Sequence, residues 1–208
     1  MNTNTRKFVV ASLLVAICLL LGLTPLGYIP IPPIEITLLL IPVIIGTITE
    51  GLGVGLVLGF FFGLTSFLQI FIKPTPLSQL LFTLSPLKTV LLVFVPRLLV
   101  PVTTWLVYRA INGESKTRRR VAAGAGALAG SFTNTVLFLG ALYLLFLPEI
   151  AQVAEVFGST PPSLFGLLAV IGAMNGLPEA AVAVLVCVPV IGAISRLKQQ
   201  RGIKNLEK

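Results

Sequence analysis

The chain has 208 residues, of which 56% are apolar and 11% are charged, and its mean hydropathy is +1.02. This balance excludes an ordinary water-soluble domain and is typical of a protein that crosses the membrane several times. His and Asp are absent, so a Ser/His/Asp triad, a histidine metal site and an intramembrane Asp protease lack their chemical groups, and no catalytic residue, metal site or cofactor is predicted. The formal charge of +8 lies in short segments beside apolar runs, which fits membrane topology better than nucleic-acid binding.

Six apolar runs of spanning or near-spanning length predict an all-α membrane protein with six transmembrane helices. The runs are Phe8–Leu26, Ile36–Thr49, Leu52–Ile72, Val90–Ile111, Val121–Leu147 and Leu164–Ile194. The second run is short, whereas the fifth and sixth are long enough to require tilt or to protrude. Residues 1–208 are predicted to form a single transmembrane domain in contact with the lipid bilayer.

The basic residues predict how these helices are oriented. An even number of spans places both termini on one side of the membrane. Most of the Lys and Arg residues fall on that side: Arg6, Lys7, Arg109, Lys116, Arg118, Arg119, Arg120, Arg196, Lys198, Arg201, Lys204 and Lys208. The opposite loops hold Lys73 and Lys88 together with Glu35, Glu149 and Glu155. Because loops rich in Lys and Arg stay inside, both termini are predicted to be cytoplasmic.

Small residues on the first helix form a candidate contact face. Ser12 and Ala16 are four residues apart, and Ala11 lies on a neighbouring face. Such a pattern lets another helix approach closely, either within this chain or from a separate subunit. Cys18 and Cys187 lie inside apolar runs, where a thiol is most often a small buried apolar side chain.

Two external loops are predicted. The segment Thr24–Glu35 holds four prolines, so it cannot continue as a helix and is expected to be extended. If this loop folds inward, Tyr28 can form an aromatic wall of a binding site; the alternative is an anchor at the membrane interface. Between Lys73 and Lys88, a short apolar helix over residues 77–84 is predicted to lie at the surface.

Glycines recur along the third helix. Gly51, Gly55, Gly59 and Gly63 are spaced four residues apart, which predicts a bare face for close helix packing. The surrounding sequence lacks the Lys and the strand-turn-helix pattern of a phosphate-binding loop.

Arg97 is the one cation buried in a predicted span, since Arg109 lies at the cytoplasmic end of its run, and Arg97 requires an anionic partner. Counted from the external helix ends, Arg97 is about 10–12 Å deep and Glu179 about 20 Å deep. Two partners are therefore considered, Glu179 itself and the carboxylate of a bound ligand. The expected mismatch of about 10 Å favours the ligand.

The sixth helix carries a polar segment around Glu179. Pro178 lacks an N–H, so the carbonyl of Met174 loses its helical donor, and the segment is expected to break the helix. Asn175 and Glu179 share a helix face, and Asn134 on the fifth helix is expected at a similar depth. Together with Arg97 these side chains can surround a small polar molecule, although hydrogen bonds between helices are the simpler alternative.

These motifs resemble those of a known family, the substrate-binding S components of energy-coupling factor vitamin transporters. The similarity covers nearly the whole chain and includes the glycine-rich third helix. The most specific matches are Phe94-Val-Pro-Arg97, Gly130-Ser-Phe-Thr-Asn-Thr135 and Asn175-Gly-Leu-Pro-Glu179. Within the family, the sequence looks most like the pantothenate-type members, and the hydroxymethylpyrimidine and folate members share the outline.

The resemblance implies a multi-pass protein of a prokaryotic plasma membrane that is not an enzyme. It captures a vitamin outside and docks to a membrane T component driven by two ATP-binding subunits. The family's docking motif on the first helix is Ala-xxx-Ala, which Ser12 and Ala16, or Ala11 with Val15, match loosely. Pantothenate fits the residues because Arg97 can hold its carboxylate, whereas a cationic pyrimidine would favour Glu179. An assembly protein held together by its polar residues is the alternative of another class.

Overall fold

The computed structural model describes residues 3–31 and 34–204, without the side chains of residues 3, 4, 28–31, 34–36, 161 and 198–204. Within these ranges the chain forms eight α-helices and one β-hairpin. The helices are α1 (Thr3–Leu23), α2 (Leu40–Glu50), α3 (Leu52–Ile72), α4 (Pro76–Leu84), α5 (Pro86–Ile111), α6 (Lys116–Leu145), α7 (Ile150–Val156) and α8 (Pro161–Lys204). Strands β1 (Tyr28–Ile31) and β2 (Ile34–Thr37) pair antiparallel, with Tyr28 opposite Thr37.

Five helices of the described ranges, namely α1, α3, α5, α6 and α8, are long and apolar enough to cross a membrane. Helix α3 has the bounds expected from its apolar run, whereas α5 and α6 begin earlier. Ser85 and Ser115 explain this difference, because each side chain accepts a backbone N–H of the first turn and so caps the helix upstream of the apolar run. Many large apolar side chains on these helices are exposed, as expected in lipid.

The predicted second spanning helix is not present as such. Helix α2 has 11 residues and rises about 16 Å, roughly half of a hydrocarbon core. The prediction was wrong about its start because Ile36 and Thr37 extend the strand β2, a conformation that β-branched residues favour. Gly51, with φ +99°, forms the turn between α2 and α3.

Two hydrophobic cores stabilise the bundle. The termini-side core includes Ile44, Phe62, Val100, Ala127 and Cys187, and α2 is almost entirely buried in it. The loop-side core, at the end of the bundle that carries α4 and α7, includes Leu81, Leu92, Leu142, Phe146 and Leu164. Helices α5, α6 and α8 run through both cores. The part of each helix that lies between the two cores can therefore carry polar side chains.

The glycine face of α3 packs directly on α5, as the spacing predicts. A Cβ at Gly59 would lie 2.6 Å from the carbonyl oxygen of Arg97, and one at Gly63 would lie 2.8 Å from the ring of Phe94. Close contact is therefore possible only without side chains at these positions. Because Gly59 touches the backbone of Arg97, this contact also sets the position of Arg97 relative to α3.

We expect Gly59→Ala to lower the stability of the bundle by about 1–3 kcal/mol, because the added methyl group overlaps α5 backbone rather than a movable side chain. The measurement is the thermal unfolding midpoint of the purified protein in detergent. Gly53→Ala is the matched control, since nothing lies within 4 Å of its added Cβ. Equal midpoints for the two variants would contradict the packing argument.

Candidate functional site

Polar side chains from three spanning helices lie between the two cores. On α5, Arg97 is placed between Leu92 and Val100; on α6, Asn134 is placed between Ala127 and Leu142. Arg97 and Asn134 are each about eleven residues from the loop-side end of their helix, or about 16 Å deep. Counted in the same way from Pro161, Glu179 on α8 is eighteen residues or about 27 Å deep, so counting along the helices leaves the expected mismatch of about 10 Å with Arg97 in place.

Glu179 is a buried carboxylate, 7% exposed, on α8. Its Oε1 atom accepts the backbone N–H of Thr37 at 3.2 Å, and the Asn134 amide and the Arg97 guanidinium lie close enough to act on its charge. Irregular backbone at membrane depth must find such partners within the protein. The contact therefore links the end of the β-hairpin to the middle of α8, across 142 positions of sequence.

Arg97 is half-buried, and its guanidinium lies between two aromatic rings. The guanidinium carbon is 4.7 Å from the ring centroid of Phe138 on α6 and 5.3 Å from that of Phe62 on α3. Stacking of this kind orients the planar cation and lowers the cost of removing it from water. No pattern in the sequence distinguishes these two rings, although Phe138 shares a helix face with Asn134, four residues away.

A cavity of about 250 Å³ opens above Arg97. Its polar walls come from α3, α4 and α5 and comprise Ser66, Gln69, Lys73, Thr75, Ser78 and Thr89. Helix α4, which confirms the predicted surface helix, forms the roof. Of the five predicted binding residues, Arg97 alone lines this cavity among the described side chains, and Asn134, Asn175 and Glu179 are not part of its wall.

Two buried acceptors at this level have no hydrogen-bond partner among the described residues. They are the side-chain oxygens of Asn134 and Asn175. Ser131, one turn from Asn134 on α6, is fully buried, and its hydroxyl is also without a partner in the described ranges. Such groups cost about 1–3 kcal/mol each when unsatisfied, so these side chains have hydrogen-bonding capacity that the described residues do not use.

Helix α8 is continuous through Pro178, which corrects the expectation of a broken helix. A proline removes one helical hydrogen bond, here to the Met174 carbonyl, and neighbouring helices can support the rest of the turn. Helix α6 packs closely against α8 at Gly176, because a Cβ there would lie 3.1 Å from the Thr135 side chain of α6. This close contact brings Asn134 beside Glu179.

The remaining predicted residues lie at the edges of the bundle. Tyr28 begins β1, but its side chain lies outside the described part of the structure. Ser12 and Ala16 are exposed on the outer face of α1, and Ala11 is half-buried. The Ser12–Ala16 face is therefore not used for packing within the described chain.

Both cysteines are buried and free, as predicted. The Cys187 thiol approaches the carbonyl oxygen of Ile41 at 4.0 Å, which is a packing contact between α8 and α2. Among the described residues, no three His, Cys, Asp or Glu side chains come together as possible metal ligands.

Comparison with known proteins connects this arrangement to a transport family. A family model described as "ECF transporter, substrate-specific component" matches residues 6–191. The chain is also similar to the pantothenic acid transporter PanT of Lactococcus lactis subsp. cremoris (strain MG1363), with 35% identity over 178 residues, covering 80% of this chain and 81% of that protein.

Proposed function

Because the chain belongs to the substrate-specific components of ECF transporters, and is therefore a multi-pass transport protein of the plasma membrane, we propose that it captures pantothenate. The site opens to the outside, and the vitamin is passed on through a T component driven by two ATP-binding subunits. Residues 1–208 act as one substrate-binding membrane domain without enzymatic activity. The observation that carries the proposal is the Arg97 guanidinium, held between two aromatic rings at the floor of a polar cavity.

The chemistry of pantothenate matches the two parts of the site. Its carboxylate pairs with Arg97, for which a bidentate contact is the preferred geometry. Its hydroxyls and amide supply donors to the oxygens of Asn134 and Asn175 and exchange hydrogen bonds around Glu179. Tyr28 is proposed as an aromatic wall on the hairpin side.

Other cargoes and another class of function are less well supported. A cationic hydroxymethylpyrimidine would pair with Glu179 and make no use of the Arg97 guanidinium, although Arg97 lines the cavity. An assembly protein would use its buried amides to hydrogen-bond neighbouring helices. The oxygens of Asn134 and Asn175 have no such partner among the described residues, which supports a ligand site.

The same proposal includes the orientation of the chain. The β-hairpin and α2 together make the second of six crossings, because a strand rises about 3.3 Å per residue and complements the short helix. Both termini are then cytoplasmic, on the side that carries the Lys and Arg residues near the start of α6 and the end of α8.

Ligand carried through purification tests the proposed cargo. We expect mass spectrometry of the protein purified in detergent to detect pantothenate, and added pantothenate to raise the thermal midpoint more than other vitamins. Hydroxymethylpyrimidine, folate and thiamine serve as the comparison panel. A protein that retains no small molecule and responds to none of these vitamins would favour the assembly alternative.

The exposed face of α1 is proposed as the T-component contact, formed by Ser12 and Ala16 with Ala11 beside them. Ala16→Trp is expected to abolish co-purification with the T component and to leave pantothenate affinity unchanged, since a large ring prevents close helix approach. Ile17→Trp, also at an exposed position but a third of a turn away, is the control. Normal complex formation by Ala16→Trp would refute this face.

A further inference from the structure

Four cations converge on a small pocket at the end of the bundle that carries both termini. Lys116, Arg119 and Arg120 come from the beginning of α6, and Arg196 comes from α8. The pocket has a volume of about 50 Å³, and the hydroxyls of Tyr108 and Ser195 belong to residues of its wall. It lies at the opposite end of the spanning helices from the cavity above Arg97.

The positive charge of this pocket is not neutralised within the described chain. None of its four cations takes part in an ion pair there, and the first turn of α6 contains no acidic residue. Arg119 is held in place, because its Nε donates to the carbonyl of Gly113 at 3.2 Å. Like charges brought together in this way repel one another unless an anion lies between them.

The pocket lies at the level of lipid headgroups. Trp105 is one turn before Tyr108 on α5, and the Arg109 guanidinium stacks over its ring at 4.9 Å. Trp side chains prefer the membrane interface, with cations just beyond them. The rest of the pocket wall is apolar and consists of Ala123, Val188, Ile191 and Gly192. Cations beside an apolar wall suit a phosphate attached to acyl chains better than a free anion.

We propose that this pocket binds the phosphate group of an anionic phospholipid. Basic pockets between membrane helices recognise lipid headgroups in this way, through charge and hydrogen bonds to phosphate oxygens. Here the guanidinium groups of Arg119 and Arg196 reach the phosphate from two helices. The bound lipid thereby joins α6 to α8 at the end remote from the vitamin site.

Competition between lipids tests the proposal on the full chain. The protein is taken from vesicles with equal amounts of phosphatidylglycerol and phosphatidylcholine, and the lipids that remain bound are measured by native mass spectrometry. We expect phosphatidylglycerol to be retained, and Arg119→Gln/Arg196→Gln to weaken its retention roughly 30-fold. Lys7→Gln/Arg118→Gln is the matched control, because it removes the same net charge; the Arg118 Nε is bonded to the Ile111 carbonyl, and neither residue lines the pocket.

Four outcomes would overturn the proposal. Equal losses of phosphatidylglycerol retention in the two double variants would indicate that the net charge of the chain, and not the pocket, holds the lipid. Unchanged retention in Arg119→Gln/Arg196→Gln would exclude the pocket as the binding site. Inorganic phosphate that raises the thermal midpoint in lipid-free detergent as much as phosphatidylglycerol does would make this a free-anion site. Loss of T-component binding with normal lipid retention would make it a protein contact. If the double variant does not fold, the single exposed Arg196→Gln still has to weaken retention about 5-fold.

Discussion

Replacement of Arg97 by alanine is expected to abolish measurable pantothenate binding. Removing one member of a buried charge pair costs about 2–5 kcal/mol, which corresponds to a roughly 30- to 5,000-fold loss of affinity. The ligand carboxylate would be left without a partner in a cavity whose wall includes the ring of Phe138. Isothermal titration calorimetry of the wild-type and variant proteins measures the effect directly.

Two further variants separate the role of Arg97 from that of any stacked cation. Arg97→Lys keeps the charge but loses the planar fork, so an intermediate affinity is expected. Arg109→Ala removes a guanidinium that also stacks on an aromatic ring, at 4.9 Å from Trp105, but at the other end of α5. Its affinity should equal that of the wild type. Wild-type affinity in Arg97→Ala would defeat the proposed carboxylate contact.

The second large effect is expected at Glu179, through its contact with the hairpin. Glu179→Ala removes the acceptor of the Thr37 N–H, and loss of a hydrogen bond to a charged group costs about 1.5–3 kcal/mol, which favours local opening of the hairpin contact roughly 10- to 150-fold. Glu179→Gln retains an acceptor oxygen, so a smaller part of this hydrogen-bond free energy should be lost. Hydrogen exchange at the Thr37 amide should accelerate in the alanine variant and change little in the glutamine variant.

Glu149→Ala provides the control for removal of a carboxylate. Glu149 pairs with Lys88 at 3.0 Å, and both side chains are partly exposed, so the expected loss of stability is under about 1 kcal/mol. Pantothenate affinity should remain unchanged. If the Thr37 amide exchanges equally fast in wild type and Glu179→Ala, the carboxylate does not hold the hairpin.

The spanning helices could be predicted because hydropathy is a local property of the chain. Helix α3 has its expected bounds, and the Gly55–Gly63 face packs on α5 as the spacing indicates. The short α2 could not be derived in this way, since the apolar residues of β2 serve equally well in a strand or a helix. Local patterns also predict Asn134 and Glu179 at a similar depth, with Arg97 nearer the external end, without showing what each side chain contacts.

The contacts that shape the site are non-local. The Thr37 N–H donates to Glu179, which is 142 positions away in the sequence, and such a contact depends on how the hairpin folds back into the bundle. Phe62 and Phe138 lie in apolar helices rich in similar side chains, so their stacking on Arg97 had no distinguishing pattern. Conversely, α8 continues through Pro178 although proline disfavours a helix interior, because α8 packs closely on α6 at the neighbouring Gly176.

The division of the bundle into two cores also determines how cargo preference can change. The cavity above Arg97 takes its roof and much of its wall from α4 and the loop-side part of α5, whereas α1 and α2 contribute to the other core. Substitutions in groups that share no partners act almost independently on stability. The pocket can therefore be reshaped for a different small molecule from one side, while the half that carries the exposed Ser12–Ala16 face keeps its form.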